Sequence, residues 1–188
     1  MIVAIEGMDG VGKTTIAKNI EKNLNFKYIK EPLKELFELD NNHIERISKK
    51  IFETSNSKLI AWYLSLGDIY ALDKYKNTNI VMDRHILLNY FWNGNTDSEE
   101  IFNTEINLFG KPDLTIILYA SPEIRMKRIA KRNPNDPDLL KNNMKKDGYD
   151  KLFNFVERYK YNYVVVNTEG ISIEEVQNIC KTVIEKML

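Results

Sequence analysis

Eight residues near the start of the chain constrain it most. Gly7-Met8-Asp9-Gly10-Val11-Gly12-Lys13-Thr14 fits the pattern G-x-x-x-x-G-K-[ST], in which glycines let backbone N–H groups converge on phosphate oxygens. Such a loop works only between a strand and a helix whose positive end points at the same anion. Both flanks are present. Ile2–Ile5 is a short apolar run that reads as a buried strand, and Ile16, Ala17, Ile20 and Leu24 recur at helical spacing over residues 13–24. In that setting Lys13 bridges the β- and γ-phosphates and the Thr14 hydroxyl ligates Mg²⁺. Gly7, Met8, Asp9, Gly10, Val11, Gly12, Lys13, Thr14 and Thr15 are therefore the expected cradle for a nucleoside triphosphate, with ATP and Mg²⁺ as the implied cofactors.

Strands and helices alternate along the rest of the chain. Further strands are expected at Lys27–Lys30, Ile80–Met82, Leu114–Leu118 and Tyr163–Val166. Between them, helical spacing covers Leu33–Glu38, Ile44–Phe52, Ser57–Lys74, Ile86–Trp92, Ser98–Phe109 with Ser98 as N-cap, a helix opened by Ser121-Pro122, Leu139–Tyr159 and Ile173–Met187. The polar, proline-punctuated stretch Asn133–Asp138 reads as a loop. Five short strands alternating with helices imply an α/β fold, a parallel sheet covered on both faces. At 188 residues the chain suits one compact domain spanning 1–188.

Composition narrows the function classes. Lys plus Arg and Asp plus Glu stand at 27 each, a balance that argues against nucleic acid as the main partner. No apolar run reaches the roughly 20 residues that a membrane span needs. Met1-Ile2-Val3-Ala4-Ile5 meets Glu6 after a few apolar residues, unlike a signal peptide. The single cysteine, Cys180, permits no internal disulfide and fits a reducing cytoplasm. His43, His85 and Cys180 show no ligand spacing, so no zinc site is expected. The chain also lacks the N-K-x-D motif with which a GTPase reads its base.

Three further features carry chemistry. Ile80-Val81-Met82-Asp83-Arg84 delivers an acid and an arginine to the sheet's carboxyl edge, where open α/β sheets bind ligands. Asp83 is a candidate for holding Mg²⁺ through water or for steering the acceptor, and Arg84 for clamping a second phosphate bidentately. Asp9 stands out because a carboxylate among phosphates is repelled unless it accepts hydrogen bonds, which an acceptor sugar could donate. Arg125, Arg128 and Arg132 share a helical face, although the chain holds only six arginines against 21 lysines. They lead into a loop that could close as a lid over about residues 125–145, bringing Arg128 or Arg132 to the transferring phosphoryl.

The pattern resembles the thymidylate kinase family. Glu6-Gly7-Met8-Asp9-Gly10-Val11-Gly12-Lys13-Thr14-Thr15 resembles that family's phosphate loop, Lys30-Glu31-Pro32 its R-E-P, Asp83-Arg84-His85 its D-R-Y, and Asp147-Gly148-Tyr149 its later G-Y. Pro112-Asp113-Leu114-Thr115 through Ser121-Pro122-Glu123 resembles its strand and helix before the lid. The resemblance implies a P-loop kinase three-layer sandwich in which Asp9 meets the acceptor's 3′-hydroxyl and Arg84 its phosphate. It implies that Lys30, Glu31, Asn89 and Tyr149 serve the acceptor side. The family's A-D-R appears as Gly67-Asp68-Ile69, so the arginine that would read thymine is absent.

The leading expectation is an ATP-dependent nucleoside monophosphate kinase making dTDP from dTMP. Alternatives are a deoxynucleoside kinase, with Glu31 as general base, and a nucleotide-binding domain without turnover. Between Ser57 and Lys74 apolar residues nearly encircle the helix, which points to burial on more than one side. The family resemblance turns that into an expected homodimer.

Overall fold

The computed structural model describes residues 1–140 and 147–188. Five strands, β1 (Ile2–Glu6), β2 (Lys27–Ile29), β3 (Ile80–Asp83), β4 (Leu114–Tyr119) and β5 (Tyr163–Asn167), form one parallel sheet in the order β2-β3-β1-β4-β5. β1 is central, with Ile2 opposite Ile80 of β3 and Val3 opposite Leu114 of β4. All five expected strands are present within a residue or two of the expected ends. Continuous apolar runs, rather than alternating ones, suit strands buried on both faces.

Side-chain alternation along β3 divides the layers. Val81 packs toward α1 (Lys13–Leu24) in the main core, whereas Ile80 and Met82 meet Ala71 and Tyr75 from α4 (Ser57–Lys74) and the turn that ends it. α9 (Ile173–Glu185) lies beside α1 and buries Val176, Cys180 and Ile184, one turn apart, against it and β5. The other layer holds α4, α5 (Ile86–Asn93), α6 (Glu99–Phe109) and α8 (Tyr149–Arg158). Tyr90, Phe102 and Phe155 join three of these helices, with ring centroids 4.3 and 5.1 Å from Tyr90. α2 (Pro32–Phe37) and α3 (Asn41–Glu53) flank α4, and α7 (Pro122–Arg132) follows β4.

Three local expectations change. Ser98 occupies the N-cap position of α6, but its hydroxyl donates to the Asn93 and Asn95 carbonyls and caps nothing. The preceding turn holds the hydroxyl instead, which also accepts from Asn95 N at 2.9 Å. The continuous helix expected over Leu139–Tyr159 is a 3₁₀ turn at Pro137–Leu140 and α8 from Tyr149 onward, with residues 141–146 outside the described residues. The third change is α4. Its most buried face carries Ala61, Ser65, Asp68 and Leu72, while Leu59, Trp62 and Leu66 are exposed. Large apolar residues face outward because the layer beneath is closely packed and takes small or polar side chains.

Candidate active site

The loop after β1 is shaped by two close backbone approaches. A Cβ on Gly7 would run into the Leu118 carbonyl oxygen of β4. One on Gly10 would lie 2.8 Å from the Arg125 carbonyl oxygen at the start of α7. Both glycines also take positive φ, which a side chain would strain. Met8 and Val11 are buried and anchor the loop in the core, leaving its backbone at the sheet's carboxyl edge. Thr15 is exposed on the first turn of α1.

Lys13 is only 5% exposed, and its ammonium lies 2.7 Å from the Gly7 carbonyl, 3.1 Å from that of Met8 and 3.3 Å from Asp9 Oδ1. Burial pushes its pKa down, and the Asp9 carboxylate opposes that shift. The same Asp9 oxygen accepts from Arg84 Nη2 at 2.7 Å. One carboxylate therefore joins the lysine of the phosphate loop to the arginine that follows β3.

Arg84 has a φ of +86°, in the left-handed region, where a non-glycine residue costs about 1–3 kcal/mol and persists only if its surroundings impose it. They do. Its N–H bonds the Ile5 carbonyl at 3.1 Å, and the next donors, His85 N and Leu87 N, both bind Glu6 Oε1 at 2.8 and 3.0 Å. The fully buried Glu6 thus caps α5 from the end of β1, and burial pushes its carboxyl up to about 8.

Asp83 is buried, and its Oδ2 accepts from Thr14 Oγ1 at 2.5 Å and from Tyr28 OH at 3.0 Å. Its Oδ1 has no hydrogen-bond partner among the described residues. A buried carboxylate oxygen left over beside a threonine hydroxyl, both hard oxygen donors, fits Mg²⁺. No sequence spacing links Tyr28 to this pair, because a strand register and not a motif brings them together.

Arg84 opens onto a cleft of about 1090 Å³ walled by α2, α3, α4 and α5. Lys30 and Glu31, both exposed, lie at its rim with Asp9. Asn89 lies deep within it, its amide donating to the Ala61 carbonyl at 3.0 Å and Ser65 Oγ at 3.3 Å. Phe52 and Trp92 offer half-exposed rings there, with Ser48 and Tyr63 hydrogen-bonded at 2.7 Å beside them. The α3 wall was missed in the sequence, where nothing but helical spacing distinguishes it.

Tyr149 is placed apart from the other acceptor-side residues. It lies outside this cleft, 2% exposed, and bridges the sheet to the loop: its hydroxyl donates to the Leu118 carbonyl at 2.7 Å and accepts from Met8 N at 3.3 Å. The lid arginines are not gathered at the loop. Arg128 binds the hydroxyl and carbonyl of Thr168 at 2.8 and 2.7 Å, and Arg132 binds Asp136 at 2.7 Å. Arg125 is buried, its Nε donating to the Ala120 carbonyl.

The family model described as "Thymidylate kinase" matches residues 5–179. The chain belongs to the thymidylate kinase family. A "Probable thymidylate kinase" of Archaeoglobus fulgidus is 30% identical, covering 100% of this chain and 96% of its own. One from Methanocaldococcus jannaschii is 26% identical over 95% and 92% respectively. Among solved structures, a deoxyadenosine kinase from M. mycoides with dCMP and dCDP bound superposes with a TM-score of 0.71 at 23% identity, covering 99% of this chain and all of that one. That likeness establishes a shared fold.

Proposed function

We propose that this protein transfers the γ-phosphoryl group of ATP to a nucleoside monophosphate, dTMP first among acceptors, releasing dTDP and ADP. The observation that carries this is the Asp9 carboxylate held between Lys13 and Arg84, which makes the phosphate loop and the cleft one continuous site. Relatives described as probable thymidylate kinases over nearly their whole length support the acceptor.

In this reading the backbone from Gly7 to Thr15 receives the triphosphate, and Lys13 turns from the loop carbonyls to its β- and γ-oxygens. Thr14 and Asp83 would hold Mg²⁺, which supplies charge neutralisation on the phosphoryl oxygens. Arg84 clamps the acceptor phosphate, with Lys30 and Glu31 at the rim and Asn89 deeper in the cleft. Asp9 accepts from the acceptor's 3′-hydroxyl. Phosphoryl transfer asks chiefly for such positioning and charge stabilisation. The lid of a single domain spans about residues 125–145, of which 141–145 lie outside the described residues, and Asp138 already lies at the cleft wall. Arg132 is the more mobile lid candidate because its partner Asp136 travels with it, whereas Arg128 must leave Thr168. The exposed Leu59, Trp62 and Leu66 support a homodimer across α4, and the single free, buried Cys180 fits an enzyme of the cytoplasm.

A deoxynucleoside kinase is the second reading, favoured by Ile69 and by the shared fold of the deoxyadenosine kinase. Glu31 would then take the proton of the attacking hydroxyl. ADP release measured across the common nucleosides and nucleoside monophosphates separates the readings. Preference for dTMP upholds the first, preference for a bare nucleoside installs the second, and tight ATP binding without turnover overturns both.

A further inference from the structure

Beside Arg84, at the floor of the cleft, three helices bring together groups that phosphoryl transfer does not use. Asp68 comes from α4, His85 from the N-terminus of α5 and Glu105 from α6. They are 8%, 4% and 0% exposed, and one ligand atom from each lies within 4.8 Å of the other two. Both ring nitrogens of His85 and both carboxylate oxygens of Glu105 lack a hydrogen-bond partner among the described residues. The Ser65 hydroxyl faces Glu105 without reaching bonding geometry, and Glu6 Oε2 and the Tyr161 hydroxyl nearby are likewise unpartnered.

A protein core does not normally tolerate this. An unpaired buried polar group costs about 1–3 kcal/mol, and a charged one more. Two such groups, His85 and Glu105, converging with the Asp68 carboxylate from three helices are better read as a donor set than as a packing error. We propose that Asp68, His85 and Glu105 bind one divalent transition-metal ion, zinc foremost, as a structural site distinct from the Thr14–Asp83 position.

The chemistry selects the ion. One imidazole and two carboxylates suit zinc, manganese or iron, whereas magnesium prefers an all-oxygen shell, and zinc binds N/O sites more tightly than manganese or iron. Two carboxylates neutralise a dication, so the loaded site carries no net charge into the core. Ligands about 2.1 Å from zinc at the tetrahedral angle lie about 3.4 Å apart, so closure needs side-chain movement of about 1 Å. Asp68 and His85 also line the floor of the cleft, which gives the ion a way in and leaves a fourth position for water. Once bound, the ion pins the start of α5 and so the backbone of Arg84, one residue before a ligand. His85 shows no ligand spacing in sequence because its companions lie on separate helices.

The test is metal uptake by the intact protein. After chelator treatment and addition of Zn²⁺, one equivalent should survive gel filtration by elemental analysis. With Co²⁺ instead, the visible bands of a tetrahedral site should appear and persist in excess Mg²⁺. Asp68→Asn and Glu105→Gln should each weaken uptake more than tenfold, and Asp83→Asn should leave the cobalt bands in place. Zn²⁺ should raise the melting temperature of the wild type and not of the first two variants. No retained equivalent and no cobalt bands in the wild type overturn the proposal without reference to any variant. Bands lost in Asp83→Asn but kept in Glu105→Gln overturn it as well.

Discussion

At the scale of single residues, the site turns on Asp9, Lys13 and Arg84. Lys13→Ala is expected to lower kcat at least a hundredfold, about 2.7 kcal/mol of transition-state stabilisation, in a steady-state assay of a variant with wild-type circular dichroism. Arg84 offers a sharper experiment because its backbone and its guanidinium have separate costs. Arg84→Ala and Arg84→Gly should raise KM for the monophosphate alike and far more than KM for ATP. The glycine variant should nonetheless be more stable than the alanine one by about 1 kcal/mol, since it relieves the left-handed φ. Equal denaturation midpoints would show that the backbone there is unstrained. Tyr149→Phe removes a hydroxyl shared by Leu118 and Met8 and should cost about 1–2 kcal/mol of stability while leaving KM for the monophosphate unchanged. A raised KM would return Tyr149 to the acceptor side. The loop itself was readable in the chain because its chemistry is local, a fixed spacing of glycines, lysine and threonine. The Asp9–Arg84 contact, across 75 residues, depends on a crossover that no spacing encodes, and so does the Tyr149 contact with Leu118 and Met8.

Among elements, every strand was legible, since an apolar run bounded by turns says nearly all that a buried parallel strand requires. Helices were legible in extent but not always in orientation. α9 behaves as its pattern suggests: Val176, Cys180 and Ile184 recur on one face and are buried together. Burial pushes the Cys180 thiol up to about 12, so a thiol reagent at pH 8 should leave the native protein unlabelled and react fully in guanidinium. Colour developing within minutes in buffer would mean that α9 opens readily. In α4, by contrast, side-chain size misleads, because the sequence does not reveal that Ala61, Ser65 and Asp68 face the neighbouring helices.

For the molecule as a whole, that outward face predicts assembly. Leu59, Trp62 and Leu66 are 42%, 46% and 40% exposed along one side of α4, and a two-fold axis would cover them on both copies at once. Sedimentation at micromolar concentration should give twice the protomer mass, and Trp62→Glu with Leu66→Glu should give the protomer mass with circular dichroism unchanged. A wild-type monomer refutes the pairing. The central place of β1 has a consequence for how the chain is made. Ile2 must wait for Ile80, and Val3 for Leu114. At ribosomal rates of roughly 5–20 residues per second, the first partner is made about 4–16 s later, and the second later still. Throughout that interval the apolar β1 run has no strand of its own to pair with. The central strand comes first in the chain, yet it gains its second neighbour only with β4, about three-fifths of the way along, and a ribosome that stalls before β4 leaves an aggregation template behind.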